Sequence, residues 1–242
     1  MTFILPFITS LVFAEDTISA DNASDTGIST DRPSIGTSAS VLSKGSLQLE
    51  SGFHRDFYTP GALEEMMDCE EKPCPIARHN ETFQALGRIG IGRRLELRPY
   101  YNLSILDASS SSGGIEVKAN LFSSETSPHT LGVLLSGQVL QLMWDIGGEN
   151  WSAWFNGGVS SLFIDDIGNI FYPIGTIGMG KSFGNNHNIY MEYALQRDTE
   201  EFWSVGYYKS FGNYQLDCFA IKNRFSLRDT WQSGIGFSWK IK

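Results

Sequence analysis

From about residue 46 the chain alternates apolar and polar positions in segments separated by clusters of Gly, Asn, Asp and Ser. Leu47, Leu49, Phe53 and Phe57 interleave with Gln48, Glu50, His54 and Asp56. Phe83, Ala85, Ile89 and Ile91 interleave with Gln84, Arg88 and Gly90, and Leu95, Leu97, Tyr101 and Leu103 with Glu96, Arg98 and Asn102. Ile115, Val117, Ala119 and Leu121 interleave with Glu116, Lys118 and Asn120, and Ile189, Met191, Tyr193 and Leu195 oppose Glu192 and Gln196. A period of two marks a strand with two different faces, and segments of roughly ten residues match a tilted strand crossing a bilayer. Leu131 to Leu142 is apolar at nearly every position and reads as one strand. Further strands are predicted at about 151–163, 170–182, 187–197, 201–211, 213–223 and 231–241.

These make eleven candidates, whereas bacterial single-chain barrels hold an even number of strands. Either one more lies in Arg32 to Leu42 or one candidate is false. The predicted fold is all-β, a single antiparallel up-and-down transmembrane barrel of roughly 10 to 12 strands. Turn chemistry agrees: Phe211-Gly212-Asn213, Phe183-Gly184-Asn185-Asn186, Asp145-Ile146-Gly147-Gly148 and Asp165-Asp166-Ile167-Gly168-Asn169 supply residues that tolerate positive φ.

The polar face separates this pattern from a soluble sandwich. It mixes Glu, Arg, Lys, Gln and Asn with Gly and Tyr, as a self-neutralised lumen does, while Leu, Ile, Val and Phe turn to lipid. Aromatics recur near segment ends: Phe57 and Tyr58, Tyr100 and Tyr101, Trp151 and Trp154, Phe171 and Tyr172, Trp203, Trp231 and Trp239. They are predicted to form interfacial girdles, against the plainer reading of ordinary aromatic enrichment in strands.

The N-terminus changes the picture by adding export. Met1 to Ala14, MTFILPFITSLVFA, is an apolar run ending in small residues at −3 and −1, followed at once by Glu15 and Asp16. It is too short to span a membrane and fits a cleaved signal peptide, although it carries no Lys or Arg. A buried N-terminal strand or helix is the alternative. Residues 15–30 then read as a flexible polar lead-in, 31–45 as an Asp-Arg-Pro element and 46–242 as the barrel. The net charge of −9 and the absence of a basic stripe exclude nucleic acid as a partner. Export without a membrane helix, joined to barrel patterning, places the chain in a bacterial outer membrane. Its expected partners are outer-membrane lipid, the barrel-assembly machinery and a small-molecule solute of unknown identity. No cofactor is expected.

Two sequence elements carry a resemblance. Thr30-Asp31-Arg32-Pro33-Ser34-Ile35-Gly36-Thr37 is followed by Lys44-Gly45-Ser46-Leu47-Gln48-Leu49-Glu50, and later by Gly90-Ile91-Gly92-Arg93-Arg94-Leu95-Glu96-Leu97-Arg98. In this order they resemble a family of outer-membrane transporters associated with the meta-pathway of phenol degradation. The resemblance implies a barrel and a transport role for small, hydrophobic or aromatic molecules. Gly234 to Trp239 resembles a barrel-assembly signal, but the following Lys240-Ile241-Lys242 departs from an aromatic ending.

Several constellations could carry chemistry. Asp31 and Arg32, with Pro33 barred from a regular ladder, read either as a plug or constriction or as a plain turn. Glu50, Asp56, Arg88, Glu96, Arg98, Glu116, Lys118, Glu192 and Asp217 fall on the lumen face. They line a pore and set its selectivity, or they form a salt-bridge network filling a small barrel. Cys69 and Cys74 flank four residues in a turn-rich segment. An exported disulfide loop is expected there, with a zinc pair as the alternative. Cys218 reads as a small packing residue within a strand. The acidic run 64–71 is a solvated loop or a divalent-cation loop without any known ligand spacing.

An enzyme reading finds little support. Barrel hydrolases need a Ser–His pair with an orienting group. His54 lies near Ser51 without one, and His79, His129 and His187 fall in predicted loops or turns. The chain is therefore read as a channel or transporter and not as an enzyme. A non-transporting structural or surface-interaction barrel is the alternative, and an outer-membrane lipid hydrolase a weaker one.

Overall fold

A computed structural model describes residues 36–58, 79–105, 111–164, 168–184, 186–196, 200–225 and 228–241. Among these residues the chain forms twelve strands: β1 Leu47–Tyr58, β2 His79–Gly90, β3 Leu95–Ser104, β4 Ser112–Ser123, β5 His129–Leu135, β6 Val139–Gly147, β7 Trp151–Ile164, β8 Gly168–Phe183, β9 His187–Gln196, β10 Glu200–Phe211, β11 Tyr214–Phe225 and β12 Arg228–Lys240. Each strand pairs antiparallel with its sequence neighbours, and β1 pairs with β12, Gln48 opposite Lys240, so the sheet closes on itself. Closure leaves no sheet edge along most of the wall, which is the condition for β structure in hydrocarbon. No helix among the described residues is long and apolar enough to cross a membrane.

Strand direction gives the barrel two different ends. Both barrel termini, Leu47 and Lys240, lie at one end with the connections 91–94, 124–128, 148–150, 184–186 and 212–213. At the other end β1, β3, β5, β7, β9 and β11 finish and β2, β4, β6, β8, β10 and β12 begin. These are called the termini end and the loop end below. Gly212 turns β10 into β11 at φ 59°, a left-handed conformation that costs a glycine little.

The two faces divide as the alternation predicts. Large apolar side chains are exposed on the outside, among them Ile115, Leu142, Phe155, Ile177, Met179, Val205, Leu216 and Ile235. Buried polar and charged side chains fill the inside, including Gln48, Glu50, Arg88, Glu96, Lys118, Asn156, Glu192 and Asp217. A soluble fold does the reverse. An all-round apolar exterior over a closed barrel belongs in lipid, so the barrel is transmembrane. Trp144, Trp151, Phe183, Phe211, Tyr214 and Trp239 ring the termini end, and Phe57, Phe171, Trp203 and Trp231 lie toward the loop end.

The structure corrects several expectations. Leu131 to Leu142 is two strands, β5 and β6, joined through Ser136, whose backbone N donates to Val139 O at 2.8 Å. This split supplies the twelfth strand. Of the stretch Arg32 to Leu42, the described residues 36–42 form no strand at all. Asp145 to Gly147 belong to β6, so the following turn starts at Gly148. His79, His129 and His187 open β2, β5 and β9 rather than sitting in loops. Cys218 packs into no core and is exposed on the outer face between Leu216 and Ala220. Tyr100, Trp154 and Tyr172 alternate inward with Arg98, Asn156 and Thr176, so they leave the girdle list.

The wall is not of even height. β5 has 7 residues and β6 has 9, between a β4 of 12 and a β7 of 14. Pairing to this hairpin stops at Val117 on β4 and Ser160 on β7. Toward the loop end the wall is therefore lowest at Ser136-Gly137-Gln138.

Candidate functional site

The interior is built from the inward positions of the strands and from the segment that precedes β1. On β1–β4 the register sets unlike charges side by side, with Glu96 opposite Lys118 and Arg98 opposite Glu116. Opposite charges directly across a ladder stabilise the pair. Glu96 is the hub. Its Oε1 accepts from Arg88 Nε at 2.8 Å and its Oε2 from Arg88 Nη2 at 2.9 Å, a forked, charge-assisted contact. Arg98 Nε and Lys118 Nζ each approach Glu96 Oε1 to 3.8 Å. Arg88 Nη1 also reaches Glu50 Oε1 at 3.2 Å, where Gln48 Nε2 donates at 2.8 Å. Arg98 Nε lies 3.5 Å from Glu116 Oε2. Arg88, Glu96 and Lys118 are fully buried. Charge at such depth survives only when paired, and here each partner is itself shared.

The second component is the chain before β1. Gly45 N donates to Gly90 O at 2.7 Å and Gly90 N to Ser46 O at 2.9 Å, pinning the segment to β2 at the termini end. From there residues 36–44 run inside the barrel, across the strands in order. Leu42 N donates to Glu96 Oε2 on β3 at 2.8 Å. Lys118 Nζ on β4 donates to Ser38 O at 3.2 Å, and Asn120 Nδ2 to Ala39 O at 3.4 Å. Asp145 Oδ2 on β6 accepts from Ala39 N at 2.7 Å and Ser38 Oγ at 2.8 Å. Asn156 Nδ2 on β7 donates to Thr37 O at 2.9 Å, and Gly36 N donates to Glu192 Oε1 on β9 at 2.9 Å.

This interior arm meets its orphan backbone groups one by one. Carboxylates on β3, β6 and β9 take its N–H groups, while Lys and Asn on β4 and β7 serve its carbonyls. Such pairing is what buried backbone outside a ladder requires. Its apolar contact is Ala39, fully buried against Leu134 and Met143. At Gly90 a Cβ would stand 2.0 Å from Ser43 O, so the arm lies directly on that glycine.

The wall from β9 to β11 is different. Tyr190, Phe219 and Ile221 pack together with Trp154, Phe202 and Tyr208 against them. Tyr190 lies over Gly206 of the next strand, whose absent side chain makes room for the ring. Trp154 Nε1 donates to Glu192 Oε1 at 2.9 Å, tying this aromatic wall to the tip of the arm. Asp56 on β1 accepts from Gln232 Nε2 on β12 at 2.7 Å.

Every charged position assigned to the lumen from sequence faces inward: Glu50, Asp56, Arg88, Glu96, Arg98, Glu116, Lys118, Glu192 and Asp217. The structure gathers Glu50, Arg88, Glu96, Arg98, Glu116 and Lys118 into one network. It sets Glu192 and Asp217 apart on the far wall. Asp31, Arg32, Cys69, Cys74 and the acidic run 64–71 lie outside the described residues. Asp145, Trp154 and Asn156 were missed, although they hold the arm or its tip. His54 and Ser51 point to opposite sides of β1, His54 inward and buried, so they cannot form a nucleophile–base pair.

No protein-family model matches the chain, and no curated protein does. Among solved structures it is similar to the KdgM porin, at 9% identity and a TM-score of 0.48 over 80% of this chain and 99% of that one. An outer membrane channel from Pseudomonas putida F1 gives 12% identity and a TM-score of 0.49 over 83% of this chain and 97% of that one. The CymD monoaromatic hydrocarbon channel gives 8% identity and a TM-score of 0.45 over 81% and 88%.

Proposed function

We propose that this barrel is an outer-membrane channel for small molecules whose lumen is narrowed by its own N-terminal arm. The observation that carries the reading is the inverted polarity of the barrel joined to an arm held across the lumen by inward side chains. A polar interior is common to conducting and filled barrels, so the arm across the lumen is what favours the pore. A pore needs a constriction to select. In this reading the Asp-Arg-Pro element, 31–45, is the constricting element.

The family resemblance points to hydrophobic or aromatic solutes. The aromatic wall of Tyr190, Phe219, Trp154, Phe202 and Tyr208 supports that finer reading, because ring faces and edges in the lumen offer apolar contact to a flat solute. Delivery by the signal peptide and insertion by the assembly machinery complete the proposal. Liposomes containing the purified protein are expected to swell in small uncharged sugars and to take up a monoaromatic such as toluene faster than empty vesicles. Equal rates with and without correctly folded protein would overturn it.

One observation favours the non-transporting alternative. The Arg88–Glu96–Lys118 network and the Ala39 seat are fully buried, as in a filled barrel. If swelling is absent, this packing is the reason, and the lumen serves stability.

A further inference from the structure

The outer face has one group of cations for which the channel offers no use. At the termini end, β8, β9 and β10 set Phe183, His187 and Lys209 in one register row and Lys181, Ile189 and Tyr207 in the next. All six alternate outward. His187 Nδ1 and the Tyr207 hydroxyl lie 2.5 Å apart. Lys209 Nζ stands 5.0 Å from the Phe211 ring centroid. Neither Lys181 nor Lys209 has an ion-pair partner among the described residues.

The cations toward the loop end are treated differently. Arg55 pairs with Glu81, Arg224 sits across the ladder from Glu201, and Lys222 lies over Trp231. Protein carboxylates and rings answer those charges. At the termini end no carboxylate answers them: Lys209 has the Phe211 ring alone, and Lys181 has neither an ion-pair nor a ring partner among the described residues.

Their position says what surrounds them. Toward the loop end from the two lysines the same three strands expose Ile177, Met179, Met191 and Val205. That is the acyl region, and the ammonium groups stand where it ends, as interfacial lysines do. Neighbouring strands lie about 4.8 Å apart, so Lys181 and Lys209 bracket a gap of about 10 Å centred on β9. Flexible four-carbon arms from both sides can reach an anion lying over His187, and the hydrogen-bonded imidazole–phenol pair places a polar group beside it.

We propose that Lys181, His187, Tyr207 and Lys209 bind the headgroup phosphate of an anionic phospholipid in the leaflet at the termini end, with its chains along Ile177, Met179, Ile189 and Met191. The site rests on the barrel lying in a membrane but not on its lumen conducting, so it survives failure of the channel reading.

The test is native mass spectrometry of the full-length protein released from mixed micelles of phosphatidylglycerol and phosphatidylethanolamine. The wild type retains phosphatidylglycerol at least about fivefold over its share of the mixture, as interfacial cations facing an anionic headgroup do. The double variant K181Q/K209Q loses that preference while still retaining phosphatidylethanolamine. K222Q/R224Q, at the loop end, keeps it. Heat-modifiable mobility shows that each variant is folded, and either single variant K181Q or K209Q replaces the double one if it is not. No preference in the wild type, or an unchanged preference in a folded lysine variant, overturns the site.

Discussion

At the scale of single residues, the interior depends on a few side chains that serve the ladder and the arm together. Glu96 is one, binding Arg88 through both oxygens and Leu42 N through one of them. Glu96→Leu strips Arg88 of its forked partner and leaves buried positive charge, at a cost of about 3–5 kcal/mol. Arg88→Leu with Glu96→Leu is expected to recover part of that loss, because removing both members of a buried pair is far cheaper than removing one. Urea unfolding followed by tryptophan fluorescence measures both; a double variant no more stable than the single one contradicts the pairing. Gly90 is another. An added methyl meets Ser43 O at 2.0 Å, so Gly90→Ala must push the arm off β2. It is expected to destabilise by about 1–3 kcal/mol, as overpacking does, and to expose the arm to protease. An arm cleaved no faster than in the wild type would argue against this contact.

At the scale of elements, the alternation reads correctly wherever the lumen face is polar, and fails where it is not. β5 and β6 look like one uniform apolar strand because Leu134 and Met143 point inward yet serve as the seat of Ala39. Nothing in a local pattern distinguishes an inward apolar residue that meets an arm from an outward one that meets lipid. The turn at Ser136-Gly137-Gln138 gave a weak signal beside that hydrophobicity. The same reason hid Asp145: its role is set by a segment more than a hundred positions away in the chain. By contrast, Glu96, Lys118, Arg98 and Glu116 were legible, since their charges sit on the minority face of clearly alternating strands. Outward positions carry a prediction of their own. Val205 lies midway along β10 and is 55% exposed on the outer face. Val205→Arg is expected to cost about 2–4 kcal/mol when the barrel folds into vesicles, the penalty for a cation near the bilayer midplane. A neutral effect on folding into vesicles would mean that this face does not meet hydrocarbon.

At the scale of the whole molecule, the barrel was legible to within one strand, and antiparallel closure of β1 on β12 needs the even count that the split of 131–142 supplies. The path of the arm was not, because 36–46 has neither strand period nor helix period and its partners are scattered over β2, β3, β4, β6, β7 and β9. The summed interior charge is acidic. Glu50, Asp56, Glu96, Glu116, Asp145, Glu192 and Asp217 face Arg88, Arg98, Lys118 and Lys240 inside the described barrel. An excess of carboxylate in a narrow lumen concentrates cations. A tenfold KCl gradient across a bilayer should therefore give a reversal potential on the cation-selective side, and an anion-selective value contradicts the assignment of these side chains to the conducting path.

The central claim is that solutes pass through this lumen and that the arm limits their passage. Single-channel recording in a planar bilayer tests it directly, comparing the wild type with Asp145→Asn/Gly90→Ala, which weakens the arm at β6 and β2. The account predicts small discrete conductance steps in the wild type and larger or more frequent ones in the variant. A silent bilayer for both proteins, each shown to be folded, would contradict it.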